Sequence, residues 1–216
     1  MDLWVFAYGS LMWRPNFPHE EAKPALLEGA RRALCIYSMA HRGTPRAPGL
    51  VLGLDKGVRC QGIAFRVPKR LTQDTRLYLH RRENVRHTYI AVTEPVKLLD
   101  GSHRTVNALC FLADRRHPQY AGDLPIEVQA YLVRRSTGAS GRNIDYVINT
   151  VEHLRELGVY DERLERLMTA LGHGFVKRGN QAGPRRKSGH KTHGYLGLAR
   201  SQASPSAAWP SGGKTG

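Results

Sequence analysis

The chain has 216 residues, 41% of them hydrophobic, enough to bury a substantial core in one large domain or two small ones. Its formal net charge of +15 is unevenly placed: eight of those charges fall after residue 176, where no Asp or Glu occurs, leaving +7 for residues 1–176. Three cysteines, an odd number with no C-x-x-C pair, argue against a disulfide scaffold or a zinc site. The apolar stretch from Leu3 to Leu11 is too short to span a bilayer and has no basic n-region or cleavage site, so a reducing, cytoplasmic setting without a membrane partner is expected.

In chain order, Leu3–Tyr8, Arg32–Met39, Leu50–Leu54 and Arg59–Val67 read as strands. A helix from Leu71 to about Arg82 follows Pro68. Two strand-like runs come next, His87–Leu99 and Thr105–Ala113, and the Asp100-Gly101-Ser102 turn joins them as a hairpin. Beyond Pro125 the pattern becomes helical over Ile126–Arg134, Ile144–Leu157 and Glu162–Leu171, the second with Ile144, Val147, Ile148, Val151 and Leu154 at helical spacing. Strands early and helices late predict an α+β or mixed barrel-like domain over residues 1–176, without the regular alternation of a doubly wound sheet. Residues 177–216, basic and rich in Gly, Ser, Pro and Ala, lack the apolar pattern that would offset their ordering entropy and read as a disordered tail.

No G-x-G-x-x-G, P-loop or G-x-S-x-G is present, so nucleotide binding and serine hydrolysis have no motif behind them. The Tyr8-Gly9-Ser10-Leu11 turn after the first strand predicts a loop in which Gly9 takes φ > 0 and backbone N–H groups cradle an anion. The plainer reading is a connector, with Ser10 capping the next element. Other groups of interest are scattered: "HRGTPRAPG" at 41–49, Glu83 in "LHRREN" beside the solvated-looking Arg81 and Arg82, Tyr120 in "HPQYAGDLP", and "SGRNIDY" at 140–146. Taken singly, each has a structural reading: Ser140 or Asn143 as a helix cap, Tyr120 as half-buried packing, Glu83 as surface charge.

Taken in order, "WVFAYGSLMWRPNF", "HRGTPRAPG", "CQGIAFRV", "LHRRE", "ALCFLA", "YAGDLP", "SGRNIDYV" and "LRELGVYDERL" closely resemble the ChaC-like family of γ-glutamylcyclotransferases, from about Trp4 to Leu171. The resemblance implies a small mixed β-barrel with surrounding helices. It implies an intracellular, cofactor-independent enzyme that splits glutathione into 5-oxoproline and cysteinylglycine. It makes Tyr8, Gly9, Ser10 and Leu11 the substrate-binding loop, Glu83 the general acid/base, and Tyr120 a residue near the pocket. "HRGTPRAPG" looks like the version found in glutathione-specific members. The stretch "NVRHTY" after Glu83 departs from the short Gly-containing link expected there.

For such chemistry Glu83 is expected to turn inward, away from Arg81 and Arg82, so that burial raises its pKa. Two alternatives stand beside this reading. One is a cyclotransferase acting on another γ-glutamyl compound. The other is a nucleic-acid-binding protein using the basic tail, where aromatic residues are sparse, with only Tyr195 and Trp209.

Overall fold

In the computed structural model, which describes residues 1–83 and 88–174, with Glu83 by its backbone alone, five strands form the framework. They are β1 (Leu3–Ala7), β2 (Glu21–Ser38), β3 (Gly49–Val67), β4 (Tyr89–Leu98) and β5 (Thr105–Ala113). They close a barrel in the order β1-β3-β2-β4-β5. Neighbours pair antiparallel, except that β5 runs parallel to β1, with Trp4 opposite Ala108, and touches β3 in parallel at Leu54↔Leu112. Each strand thus pairs with at least two others, although β2 and β4 meet only over Ala25–Leu27 and Val96–Leu98. The mixed barrel implied by the resemblance is therefore what the chain forms.

Four helices accompany it: α1 (Thr72–Glu83), α2 (Ile126–Arg135), α3 (Asn143–Glu156) and α4 (Glu162–Ala170). A two-stranded hairpin, β6 (Thr137–Gly138) and β7 (Gly141–Arg142), precedes α3. Helices α2, α3 and α4 pack on one another, and α2 leans on β3. The helical stripe read from the sequence is the buried face of α3, where Ile144, Val147, Val151 and Leu154 join the core and Ile148 is half-buried. Among the described residues no helix is long and apolar enough to cross a membrane.

The strands depart from the sequence reading in one region. Leu50–Leu54 and Arg59–Val67 belong to a single strand, and Glu21–Arg31, which did not read as a strand, forms the first half of β2. Pro24 and Gly29 masked it. Pro24 lies one residue before the β4 pairing starts at Ala25↔Leu98; its carbonyl accepts the Leu99 N–H at 2.7 Å, and its missing N–H falls where no ladder partner is needed. Gly29 takes φ +78° at a register irregularity between Glu28 and Ala30, a bulge that bends the hairpin without ending it. The β4–β5 hairpin and its Asp100-Gly101-Ser102 turn stand as the sequence reads. The link 84–87 and the tail 177–216 lie outside the described residues.

Asn143 does not cap α3. The cap position is Arg142, with no side-chain cap bond, and Asn143 is fully buried one residue further in. Its Oδ1 accepts the Leu50 N–H at 2.7 Å and its Nδ2 donates to the Leu50 carbonyl at 2.8 Å, which fastens the start of α3 to the start of β3. Asn143→Ala leaves both backbone groups of Leu50 buried without partners and is expected to cost about 3 kcal/mol, read as a lower midpoint in urea unfolding with an unchanged slope.

Candidate functional site

The end of β1, the end of β2, the starts of β3 and β4 and the end of β5 meet at one rim of the barrel. A cavity of about 570 Å³ opens there, within the range of small-molecule sites. Phe6, Ile36, Val51, Leu52 and Phe111 supply apolar wall from the strands. Residues Tyr8–Leu11, Trp13 and Arg14 supply the loop after β1; His41 and Arg42 come from the β2–β3 connection, Arg82 from the end of α1, and Ser140, Tyr146, Asn149, Thr150 and His153 from β6–β7 and α3. Segments far apart in sequence thus converge. The loop Tyr8–Leu11 and parts of "HRGTPRAPG" and "SGRNIDY" all face one space.

The charge on this wall has one sign. Among the described lining residues are three guanidinium groups, Arg14, Arg42 and Arg82, two imidazoles, His41 and His153, and no carboxylate. A concave, partly apolar site of this kind raises the local concentration of anions. Arg82, which read as a solvated helix end, is half-buried here: it donates to the Ser10 hydroxyl at 3.0 Å, the Tyr78 hydroxyl at 2.8 Å and the Arg14 carbonyl at 3.0 Å. Arg81 is exposed as expected. Arg42 lies over the Tyr146 ring, 5.3 Å from its centroid, and donates to the Ser140 carbonyl at 2.5 Å, so the first of these loops is held against the hairpin before α3.

Gly9 differs from expectation. Its φ is −136°, not positive, and a Cβ built on it meets only the Leu52 Cδ1, at an ordinary 3.5 Å. A positive φ is therefore not what places glycine there. A short 3-10 turn, Ser10–Met12, begins immediately after it, with no side-chain cap from Ser10 or any neighbour. Among the described residues no acceptor takes the N–H of Gly9, Ser10 or Leu11, as befits the first amides of a helical turn. All three residues that carry these N–H groups line the cavity.

A buried cation anchors this loop. Arg32 on β2 is 4% exposed; its Nε donates to the Tyr8 carbonyl at 2.5 Å, one Nη to the Gln61 carbonyl at 2.7 Å and the other to Asp161 at 3.0 Å. Asp161 in turn caps α4 by accepting the Leu164 N–H. Nothing in the sequence marks Arg32 among so many basic residues.

Tyr120 is not on the cavity wall. Tyr37 N–H donates to the Gln119 carbonyl and Ala121 N–H to the Cys35 carbonyl, so residues 119–121 run extended along the end of β2. Of this segment, Gln119 lines the cavity. The Tyr120 hydroxyl instead donates to the buried Asp55 carboxylate and accepts from the Arg115 Nε at 3.0 Å. Burial holds its pKa above the ordinary tyrosine value; the Arg115 hydrogen bond opposes this and the Asp55 carboxylate adds to it. Glu83 is the last residue of α1, next to Arg82, and its side chain lies outside the described part of the structure.

Of the polar stripe Tyr146, Asn149 and His153, the first closes the quoted "SGRNIDY" and the other two escaped the sequence reading. The signal was present as the face of α3 opposite Val147, Val151 and Leu154, but a polar helix face ordinarily means solvent.

A five-stranded mixed barrel with a cationic small-molecule cavity at one rim defines the class of the protein. The chain belongs to the ChaC-like family: the family model described as ChaC-like protein matches residues 3–173. It is 36% identical over 169 residues to a glutathione-specific γ-glutamylcyclotransferase of Escherichia coli, a match covering 78% of this chain and 72% of the relative. It is 32% identical to one of Schizosaccharomyces pombe, with 72% and 84% covered, and 31% identical to γ-glutamylcyclotransferase 2-3 of Arabidopsis thaliana, with 80% and 90% covered. The crystal structure of a γ-glutamyl cyclotransferase specific to glutathione from yeast superposes with a TM-score of 0.71 at 20% identity, covering 80% of this chain and 97% of that one. That likeness is one of fold.

Replacing Arg32 tests the anchor. Arg32→Met removes the partner of Asp161 and of two buried carbonyls and is expected to destabilise the protein by about 3–5 kcal/mol, read by thermal or urea unfolding. A Tm equal to wild type would show that the loop after β1 is held by other means.

Proposed function

We propose that the protein is a glutathione-specific γ-glutamylcyclotransferase that releases 5-oxoproline and cysteinylglycine in the cytoplasm. The observation that supports it best is the convergence of separate ChaC-like motifs on one cavity whose described lining residues carry three guanidiniums, these three backbone N–H groups and no carboxylate. Glutathione carries two carboxylates, and such a wall is complementary to both. The relatives named above as glutathione-specific give the substrate class.

The reaction is a ring closure within the substrate. The α-amine nitrogen attacks the γ-carbonyl carbon, a C–N bond forms in a five-membered ring, and the amide C–N bond to the cysteinyl residue breaks. Because both reacting groups belong to one molecule, a site that folds the substrate back on itself gains much of the proximity advantage, where effective molarities reach about 10⁵ M or more. Two proton movements remain: one leaves the α-amine as it attacks, and one reaches the departing nitrogen. A single carboxyl can make both in turn, and the motif assigns this to Glu83, with the N–H groups of Gly9–Leu11 holding the α-carboxylate or the developing oxyanion.

Incubation of the purified protein with glutathione, followed by quantification of 5-oxoproline and cysteinylglycine, tests the reading; stoichiometric release of both is expected, and no release would overturn it. Glu83→Gln keeps the size and hydrogen-bonding reach of the side chain but cannot take or return a proton, so kcat is expected to fall by at least about 10²–10⁴-fold with the fold intact. Near-normal kcat in that variant would assign the proton transfers to another group.

Gly9→Ala separates the conformational role of this glycine from its role in binding. With an ordinary contact awaiting the added methyl, its Tm is expected to match wild type, while KM for glutathione rises if substrate approaches the backbone there. An unchanged KM would make the loop a connector only.

A further inference from the structure

The reading above gives the Tyr8–Leu11 loop the γ-glutamyl half of the substrate and leaves the departing half without a holder. α3 offers one. Tyr146, Asn149 and His153, three and four residues apart, line the cavity as one stripe of the helix. Their span of about 10 Å along the axis exceeds the roughly 7 Å of an extended dipeptide. The stripe also runs beside the loop. The Tyr146 hydroxyl accepts the Leu52 N–H at 3.1 Å, and the Leu52 side chain is what a Cβ on Gly9 would touch; further along, His153 stacks on Trp13 with centroids 4.6 Å apart and planes 21° from parallel. A substrate held by the loop therefore lies against α3.

We infer that His153 is a specificity-determining residue that holds the leaving dipeptide, its Nε2 accepting the N–H of the peptide link between cysteine and glycine. The inference rests on the glutathione reading. A carbonyl can only accept, so the 2.6 Å contact between His153 Nδ1 and the Asn149 carbonyl puts the proton on Nδ1. In the neutral ring Nε2 is then an acceptor on the opposite edge, and among the described residues it has no hydrogen-bond partner. Two contacts from different elements, the helix carbonyl and the Trp13 indole, fix the ring's tautomer and plane. An imidazole oriented in this way is prepared for a ligand. The neighbouring Thr150 hydroxyl, which also lines the cavity and is buried without a partner among the described residues, is not needed for the contact.

The test compares wild type with His153→Phe, which keeps a ring for Trp13 to stack on but has no ring nitrogen, and with His153→Gln, which restores an acceptor. The measurements are KM and kcat for glutathione, inhibition by cysteinylglycine as a competitive ligand, and Tm. For His153→Phe, loss of one hydrogen bond is expected to raise KM about five- to tenfold and to weaken cysteinylglycine inhibition by a similar factor, with kcat within about twofold and Tm unchanged. His153→Gln is expected to recover part of both losses. Wild-type KM and inhibition in His153→Phe would overturn the inference. So would a loss confined to kcat, or equal losses in both variants accompanied by a lowered Tm. If wild type releases no 5-oxoproline from glutathione, the functional reading fails first and this inference with it, whereas wild-type turnover with an unaffected His153→Phe removes the inference alone.

Discussion

The architecture depends on one buried guanidinium. Arg32 sits within the longest hairpin and reaches, with separate nitrogens, the first carbonyl of the loop after β1, a carbonyl on β3 and the carboxylate that caps the last described helix. A buried cation left without partners is costly, so these acceptors must come to it or the fold is lost. The arrangement makes the loop after β1 and the N-terminus of α4 answer to the same group, although they are more than 150 residues apart in sequence. The cavity wall is thereby fixed from behind, by a side chain that does not itself line the cavity.

The remaining walls are joined by shorter links of the same kind. The β2–β3 connection is closed onto the β6–β7 hairpin by backbone bonds from Ala139 and Ser140 to Ala40 and His41, and Arg42 spans both. Asn143 then ties that hairpin's helix to β3, and the Tyr146 hydroxyl ties it again one turn on. Polar side chains here complete the backbone ladders of neighbouring segments. The rim consequently presents its guanidiniums from rigid supports, which is what lets like charges stand together without collapse of the site.

Much of this was legible in the sequence, and the rest was hidden for identifiable reasons. The β4–β5 hairpin and the helices beyond Pro125 follow from alternation, turn chemistry and 3.6-residue spacing. The first half of β2 was hidden because Pro24 and Gly29 ordinarily break strands; only the pairing shows that one stands just before the β4 ladder and the other at a bulge. Motif resemblance brought Tyr8–Leu11 to the cavity wall and set Tyr120 near the pocket, where it stands beside the lining residue Gln119 and opposite Ile36. Arg82 and His153 were missed because a charged helix end and a polar helix face look alike whether they meet solvent or a cavity. Arg32 had no signal at all: its three acceptors are set by tertiary structure.

The cysteines bring the fold and the proposed substrate together. Cys35, Cys60 and Cys110 are all buried and unbonded, and burial pushes their thiols up to about 12, 11 and 12. Thiol–disulfide exchange proceeds through an exposed thiolate, and at neutral pH a thiol of pKa about 12 is ionised to only about one part in 10⁵. A protein whose ligand is itself a thiol, accompanied in any cell by its oxidised disulfide, would be exposed to mixed-disulfide formation at every accessible cysteine. This chain keeps all three sulfurs buried, which disfavours that exchange.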